Sequence, residues 1–444
     1  MREYSLPLRE VFNRGLRRNE NHIRNDVALV TCFNAAPSSK GLEKLREFPN
    51  YLPQLDGAWP FPQLFFLKGK TFVGTSTGLY EYFPNSDTYE LRIQMHVVDP
   101  WAMLDFAPFY LCINESRMWA FNVELGVFEE VDYTKYPRCS AFTNFNGQLI
   151  TGGDITFEGD VQKYRSRVAW SNIGSFDFTI GRKNVAGFTE LDRGGAIRNI
   201  LPLPNGFVVY STRQIVMFTA VSSPVVTFSK RILLEKGVPY KGSVCKGRDE
   251  HIALTTDGTL YRITMEGVEE IGYEEFFDDF KVYKTVLTYN PLEEEYYLSN
   301  GLRTYVYRKE GLGELGQPIT SGGLTYEGNF EVQTKPSINT DFIVVTDTFD
   351  MEVRGQKTLY AVEIASDSVK EMEMSIFWRS SAQESFRQTK WVRVGPTGIA
   401  TLPTTGVEFR LALRVQDGGS VHLSGVNVRW KLTDKRAIRG QYVS

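Results

Sequence analysis

Histidine and cysteine are scarce in this chain, four of each in 444 residues. His22, His96, His251 and His422 lie far apart, with no spacing that suggests a metal site. His251 beside a strand start and His422 inside a strand read as surface or satisfied core residues. Cys32, Cys112, Cys139 and Cys245 form no C-x-x-C pair, which argues against structural zinc. Their scatter fits buried free thiols in a reducing cytoplasm better than a disulfide framework. No apolar run approaches membrane-spanning length. The N-terminus lacks the apolar segment of a signal peptide: Arg2 and Glu3 are followed by Pro7 and then by charges. A formal charge of −3 argues against generic nucleic-acid binding over the whole surface.

The motifs of common enzymes are also missing. There is no P-loop, no dinucleotide fingerprint and no G-x-S-x-G elbow. The glycine turns at Gly152-Gly153-Asp154 and Arg193-Gly194-Gly195 lack the strand-to-helix context that cradles phosphate. A propeller glycosidase needs paired carboxylates, and none stands out among Asp154, Asp177, Asp192, Asp249 and Asp257. Asp249 and Asp257 read as turn formers. The run TTDGTLY at 255–261 lacks the spacing of a sialidase Asp-box, and an Asp-Gly hairpin turn explains it. The chain is expected to be no enzyme and to hold no cofactor and no metal.

What the chain has is aromatic residues, 13% of the total, of the kind that suits half-buried pleated surfaces. They recur in a pattern. An apolar run, a Gly, Asn or Asp turn and a second, aromatic-rich run return about every forty residues. The copies are Phe72 to Tyr82, Tyr110 to Phe121, Phe207 to Phe218, Ile252 to Ile263 and Tyr296 to Tyr307. One hairpin per period reads as a propeller blade. Six candidate units fall near 63–98, 100–135, 140–180, 198–232, 244–276 and 284–316, with seven blades open if the N-terminal segment adds a strand. The third unit carries a polar insertion between Asp154 and Arg167.

The expected organisation is all-β: an extended N-terminal arm over 1–55, a β-propeller of about six blades over 56–330, and a C-terminal β-sandwich with a tail over 331–444. The arm is expected to hold a short strand at Val27 to Phe33 and a helical turn over Gly41 to Arg46. Glycines at 311, 313, 316, 322, 323 and 328 mark the boundary before the sandwich. Strands are expected at 342–346, 351–354, 358–364, 372–379, 391–394, 407–415 and 421–431, and their spacing and alternation suit two packed sheets.

Two charged regions are candidate surfaces. Glu266, Glu269, Glu270, Glu274, Glu275, Asp278 and Asp279 lie in a stretch without Lys or Arg. This is either a solvated face or an acidic wall that keeps a polyanion from sticking. Arg14, Arg17, Arg18 and Arg24 in the arm, and Lys435, Arg436 and Arg439 near the C-terminus, are candidate contacts to acidic partner surfaces.

Several segments together resemble one family. VAWSNIGSFDFT at 168–179 is similar to a segment recurrent in tail proteins of tailed bacteriophages. AGFTEL at 186–191, Ile197 to Leu203, Phe207 to Phe218 and KGVPYKGSV at 236–244 continue the likeness. GLEKLREFP at 41–49 and VHLSGVNVRW at 421–430 extend it over most of the chain. The group is the tail nozzle, also called the tail hub or packaged-DNA stabilisation protein, of short-tailed phages. The resemblance implies a structural virion protein, assembled in the host bacterial cytoplasm. It implies a homo-oligomeric, hexameric ring that docks on the portal and adaptor, the head-to-tail connector. Tail fibres or spikes are implied partners, and genomic DNA would pass without sequence-specific contact. A receptor- or glycan-binding tail protein, with loop aromatics such as Tyr164 or Trp170 exposed, is the alternative.

Overall fold

A computed structural model describes residues 3–17, 27–52, 57–156, 163–182, 184–222, 227–281, 284–337, 339–353, 355–416 and 421–433. The chain divides into two units that are not consecutive stretches. One comprises Pro49–Leu302 with Ile319–Lys335; the other comprises Met1–Phe48, Arg303–Pro318 and Pro336–Ser444.

The first unit is a propeller. Five four-stranded antiparallel sheets follow one another, each a meander whose strands lie in chain order. They begin at the inner strands Gln63–Leu67, Ala102–Phe106, Ala141–Phe145, Ile197–Leu203 and Val244–Lys246. From the second sheet to the fifth, each inner strand neighbours the next one. Two hairpins follow, Val286–Asn290 with Glu295–Ser299 and Ile319–Leu324 with Phe330–Thr334. The last hairpin lies beside both Val286–Asn290 and the opening strand Gln63–Leu67, so the circle closes. Among the described residues, this unit thus occupies seven positions, where the sequence pattern gave about six.

The seventh position is the glycine-rich stretch that reads in sequence as a boundary. Its glycines serve close approach. A Cβ at Gly322 would sit 3.0 Å from Thr288 on one neighbouring strand, and one at Gly323 would sit 3.1 Å from the Phe66 ring on the other. The N-terminal segment also adds to this position. Tyr51 N–H donates to the Val332 carbonyl at 3.0 Å, and Leu52 N–H to Gln333 Oε1 at 3.0 Å.

The propeller core follows from alternation within strands. Phe207, Val209, Val216 and Phe218 pack with Ile150, Val168 and Trp170 of the preceding sheet. Val208, Tyr210, Ile215 and Met217 face the other way and pack with Ala253 and Ile263 of the next sheet. Successive residues of one strand therefore serve two inter-sheet cores, which is why Gly206–Ser211 and the start of Ile215–Val221 read as continuous apolar runs.

The second unit holds two sheets that abut through Met372–Arg379 against Ile399–Gly406 and Gly311–Leu315 against Ala35–Ser38. The strand Ile399–Gly406 alternates strictly between exposed and buried residues, as one face of a sandwich requires. The long strand His422–Leu432 pairs on one edge with Lys357–Ser366. Its other edge is covered by two N-terminal pieces: Gly41–Lys44 over His422 and Leu423, and Glu3–Leu8 over Val426 to Lys431. Tyr4 stacks on Trp430 at 4.7 Å.

Three local expectations change. Gly41–Lys44 is a strand of a hairpin with Ala35–Ser38, not a helical turn. Gly41 has φ 137°, and a Cβ there would lie 2.2 Å from the Leu423 carbonyl oxygen. A short helix forms instead at Glu10–Arg14, burying Val11 and Phe12. Residues 351–353 form a turn, with Met351 and Glu352 at positive φ, rather than a strand.

Candidate functional site

Two of the segments that carry the family resemblance, 171–179 and 236–244, fold into joints between propeller sheets. The strand Arg167–Trp170 ends in Trp170, which is buried. Its Nε1–H donates to the Val185 carbonyl at 2.9 Å, and its ring covers Gly187, where a Cβ would be 2.8 Å away. Phe228 meets the ring edge-on at 5.2 Å. Trp170 is therefore a core residue, and the expectation of an exposed loop aromatic fails at this position. Tyr164 is half-buried beneath the Arg167 guanidinium, 3.4 Å from its ring centroid.

After Trp170 the chain crosses to the second sheet. Ser171 Oγ accepts from Leu149 N–H at 2.9 Å, and Gly174 N–H donates to the Gly147 carbonyl at 2.7 Å. Asp177 closes the loop. Its carbonyl accepts from Asn172 N–H at 2.7 Å, and its carboxylate accepts from Thr179 N–H and Asn184 Nδ2, both at 2.8 Å. The Thr179 bonds hold the Asp177 carboxyl below its usual range. Between these anchors Phe176 is delivered to Phe106, Phe109 and Tyr136 of the second sheet's region, at 4.9, 5.6 and 5.6 Å. The loop is a clasp from the third sheet to the second.

The segment from Lys236 to Val244 makes a second joint. Val238 N–H donates to the Ser211 carbonyl at 2.9 Å, in the fourth sheet. Thr256 N–H, in the fifth sheet, donates to the Gly237 carbonyl at 2.9 Å. A Cβ at Gly237 would lie 2.1 Å from the Thr212 carbonyl carbon, so only glycine permits this crossing. Lys236 pairs with Asp257 at 2.6 Å. Burial opposes ionisation of Asp257, but bonds from Lys236, Thr255 and the Thr259 N–H outweigh it and hold the carboxyl at about 2. Asp257 is thus the turn former expected from sequence, with an added ion pair.

The acidic residues fall at the rim of the fifth sheet. Glu269 and Glu270 lie on its outermost strand, Val268–Gly272, and are exposed. Glu269 accepts from Arg262 at 2.8 Å, and Glu270 from the Tyr261 hydroxyl at 2.9 Å. Glu266 sits in the preceding turn. Glu274 and Glu275 form one 3-10 turn, and Asp278 and Asp279 open the next. Phe277 and Phe280, both buried, anchor these turns edge-to-face at 5.3 Å. Six of the seven acidic residues are exposed and Glu275 is half-buried.

Of the basic candidates, only Arg14 and Arg17 fall among the described residues. Arg14 ends the short helix and pairs with Glu10 at 3.0 Å, and Arg17 follows it, exposed. Arg18, Arg24, Lys435, Arg436 and Arg439 lie outside the described residues. His251 is buried and bonded on both ring nitrogens, to the Tyr210 hydroxyl at 2.7 Å and the Pro202 carbonyl at 3.1 Å. Cys32, Cys112 and Cys139 are buried free thiols, and Cys245 is a free thiol of intermediate burial. Among the described residues, no His, Cys, Asp and Glu cluster suits a metal ion, and no helix is long and apolar enough to cross a membrane.

A polar cavity at the start of the inner strands was not singled out in sequence, because its residues come from several sheets. It is lined by Asp99, Asn114, Asp154, Arg198, Lys241 and Lys284, among others.

No family model matches the chain, and no curated protein sequence matches it. Solved structures show weak likeness. A chain of the mitotic checkpoint complex matches with a TM-score of 0.42 at 10% identity, covering 70% of this chain and 93% of that one. BamB from Moraxella catarrhalis matches with 0.35 at 9% identity, covering 64% and 78%. PorZ, a bacterial surface component of the type-IX secretion system of Porphyromonas gingivalis, matches with 0.38 at 11% identity. That match covers 61% of this chain but only 35% of PorZ. The propeller assignment rests on the closed ring of sheets described above.

Proposed function

We propose that this chain is a structural virion protein, the nozzle or hub of a short phage tail. In this reading it forms a ring docked on the portal-adaptor complex, and the ring encloses the channel for genome retention and ejection. The observation that supports the reading most is the role of the resembling segments. The loop over 171–179 and the segment over 236–244 are inter-sheet joints, so two segments that resemble the nozzle family serve architecture in this chain. The mostly exposed acidic residues over 266–279 suit a surface past which DNA slides without adhering.

Electron microscopy of the purified protein, alone and with its adaptor, tests the proposal. Six-fold rings, or rings formed on the adaptor, are expected. A strictly monomeric particle that is also absent from purified virions would refute it.

A second reading, a receptor- or glycan-binding tail protein, is favoured by one feature. A groove of about 640 Å³ is lined by Phe109, Tyr136, Phe176 and Phe178, with Lys135 and Asp177 also on its walls. Aromatic faces beside polar groups suit sugar rings. Glycan-array binding that is lost in Tyr136→Ala would favour this reading over the first.

A further inference from the structure

The polar cavity where the inner strands begin holds about 140 Å³. A water takes roughly 30 Å³ of liquid, so the space suits a few waters or one compact ion. Its charges are unevenly matched. Asp99 lies 3.6 Å from Lys284, Asp154 lies 3.6 Å from Arg165 although its Oδ1 has no hydrogen-bond donor, and Glu115 accepts from Val98 N–H at 3.3 Å. Lys284 also donates to the Val98 carbonyl. Lys241, half-buried, and Arg198, exposed, line the same cavity, and among the described residues neither side chain has a hydrogen bond or an ion pair.

Lys241 is held there by its backbone. Its carbonyl accepts from Asn199 Nδ2 of the fourth sheet at 3.0 Å. The next residue, Gly242, packs so tightly on the Thr285 carbonyl oxygen that a Cβ would be 2.3 Å from it. The turn that carries the side chain is therefore fixed between the fourth sheet and Thr285. The neighbouring thiols offer no countercharge: burial raises Cys112 far above its usual range and pushes Cys139 up to about 12. Asn114, 2% exposed, adds an Oδ1 without a donor to the same wall, an acceptor that calls for a water rather than for the anion itself. An unpaired ammonium half-buried in a cavity gains from an anion that offsets its partial desolvation.

We propose that this cavity is a binding site for a small oxyanion, a carboxylate or a phosphate, with the Lys241 ammonium as its charged partner and Arg198 at its mouth. Desolvation lowers the Lys241 ammonium to about 8, opposed by the Asp99 carboxylate. The charged form therefore dominates below that value and is lost above it, and an anion that binds favours the charged form.

The test uses the full chain and two probes, inorganic phosphate and acetate, titrated by calorimetry and by thermal melting. At about pH 7 one or both probes are expected to bind saturably and raise the Tm, which identifies the oxyanion class. In Lys241→Met the affinity is expected to fall by about tenfold or more. That variant without anion is expected to melt at or above the wild type, since an unpaired charge has been removed. The distant exposed control Lys246→Met is expected to bind as wild type. If Lys241→Met does not fold, the wild type alone decides: acetate keeps its own charge, so its affinity is expected to fall between about pH 7 and about pH 9.5. No saturable binding of either probe, or binding unchanged in Lys241→Met and flat with pH, would overturn the proposal and leave a water-filled cavity.

Discussion

At the residue scale, the buried polar groups of the propeller show which side chains hold the sheets in register. His251 is the clearest. It stands in the second strand of the fifth sheet, fully buried, and joins Tyr210 and Pro202 of the fourth sheet through its two ring nitrogens. Burial lowers its imidazolium to about 4, the Pro202 bond opposing and the Lys246 charge assisting. The sign follows from proton binding. Between its unfolded value near 6.5 and about 4, the unfolded chain binds the proton and the folded one does not. This contribution is therefore present above about 6.5 and is lost as pH falls towards 4. The full shift corresponds to roughly 3 kcal/mol. Urea unfolding of the wild type is expected to show the midpoint falling across that window. In His251→Gln the fall is expected to be shallower, with lower stability at neutral pH because Tyr210 loses its partner. Equal slopes in the two proteins would mean that other groups govern the acid limb.

At the element scale, the closing hairpin Ile319–Thr334 controls the propeller. It wedges between Val286–Asn290 and Gln63–Leu67, the two ends of the circle. Gly322→Val is expected to force Thr288 and the Phe330 ring apart, since even a Cβ lies 3.0 Å from each. A loss of roughly 1–3 kcal/mol is expected from such overpacking, read as a lowered Tm by calorimetry. An unchanged Tm would mean that the wedge has slack. This element also shows where sequence reading stops. The periodic hairpins were legible because a strand pair with an Asp-Gly or Asn-Gly turn is a local signal, as at Thr255 to Thr259. Glycine clustering is also local, but its cause at 322 and 323 is the approach of strands far away in sequence. The same holds at Gly41, where a helix-like GLEK run becomes a strand because Leu42 pairs with Leu423. The acidic stretch was legible as composition. The Lys241 cavity was not, because its lining residues span 99 to 285 and no spacing links them.

At the scale of the whole molecule, the chain is not folded as beads on a string. The N-terminal residues belong with the C-terminal unit, which also takes in Arg303–Pro318. Their work there is edge protection. The strand His422–Leu432 is the longest in the chain among the described residues, and it would present an open row of N–H and C=O groups without Gly41–Lys44 and Glu3–Leu8. An exposed edge of that length templates pairing with other chains. Removing residues 1–9 would uncover Val426 to Lys431 and unstack Trp430 from Tyr4. The truncated protein is expected to form soluble aggregates at concentrations where the full chain does not, as read by light scattering, while its propeller retains its own melting transition. If the shortened chain instead stays dispersed and loses only a ring that the full chain forms, the N-terminal strand serves assembly rather than edge protection. Either result separates the two roles that such a paired N-terminal strand can have, covering an edge and joining subunits.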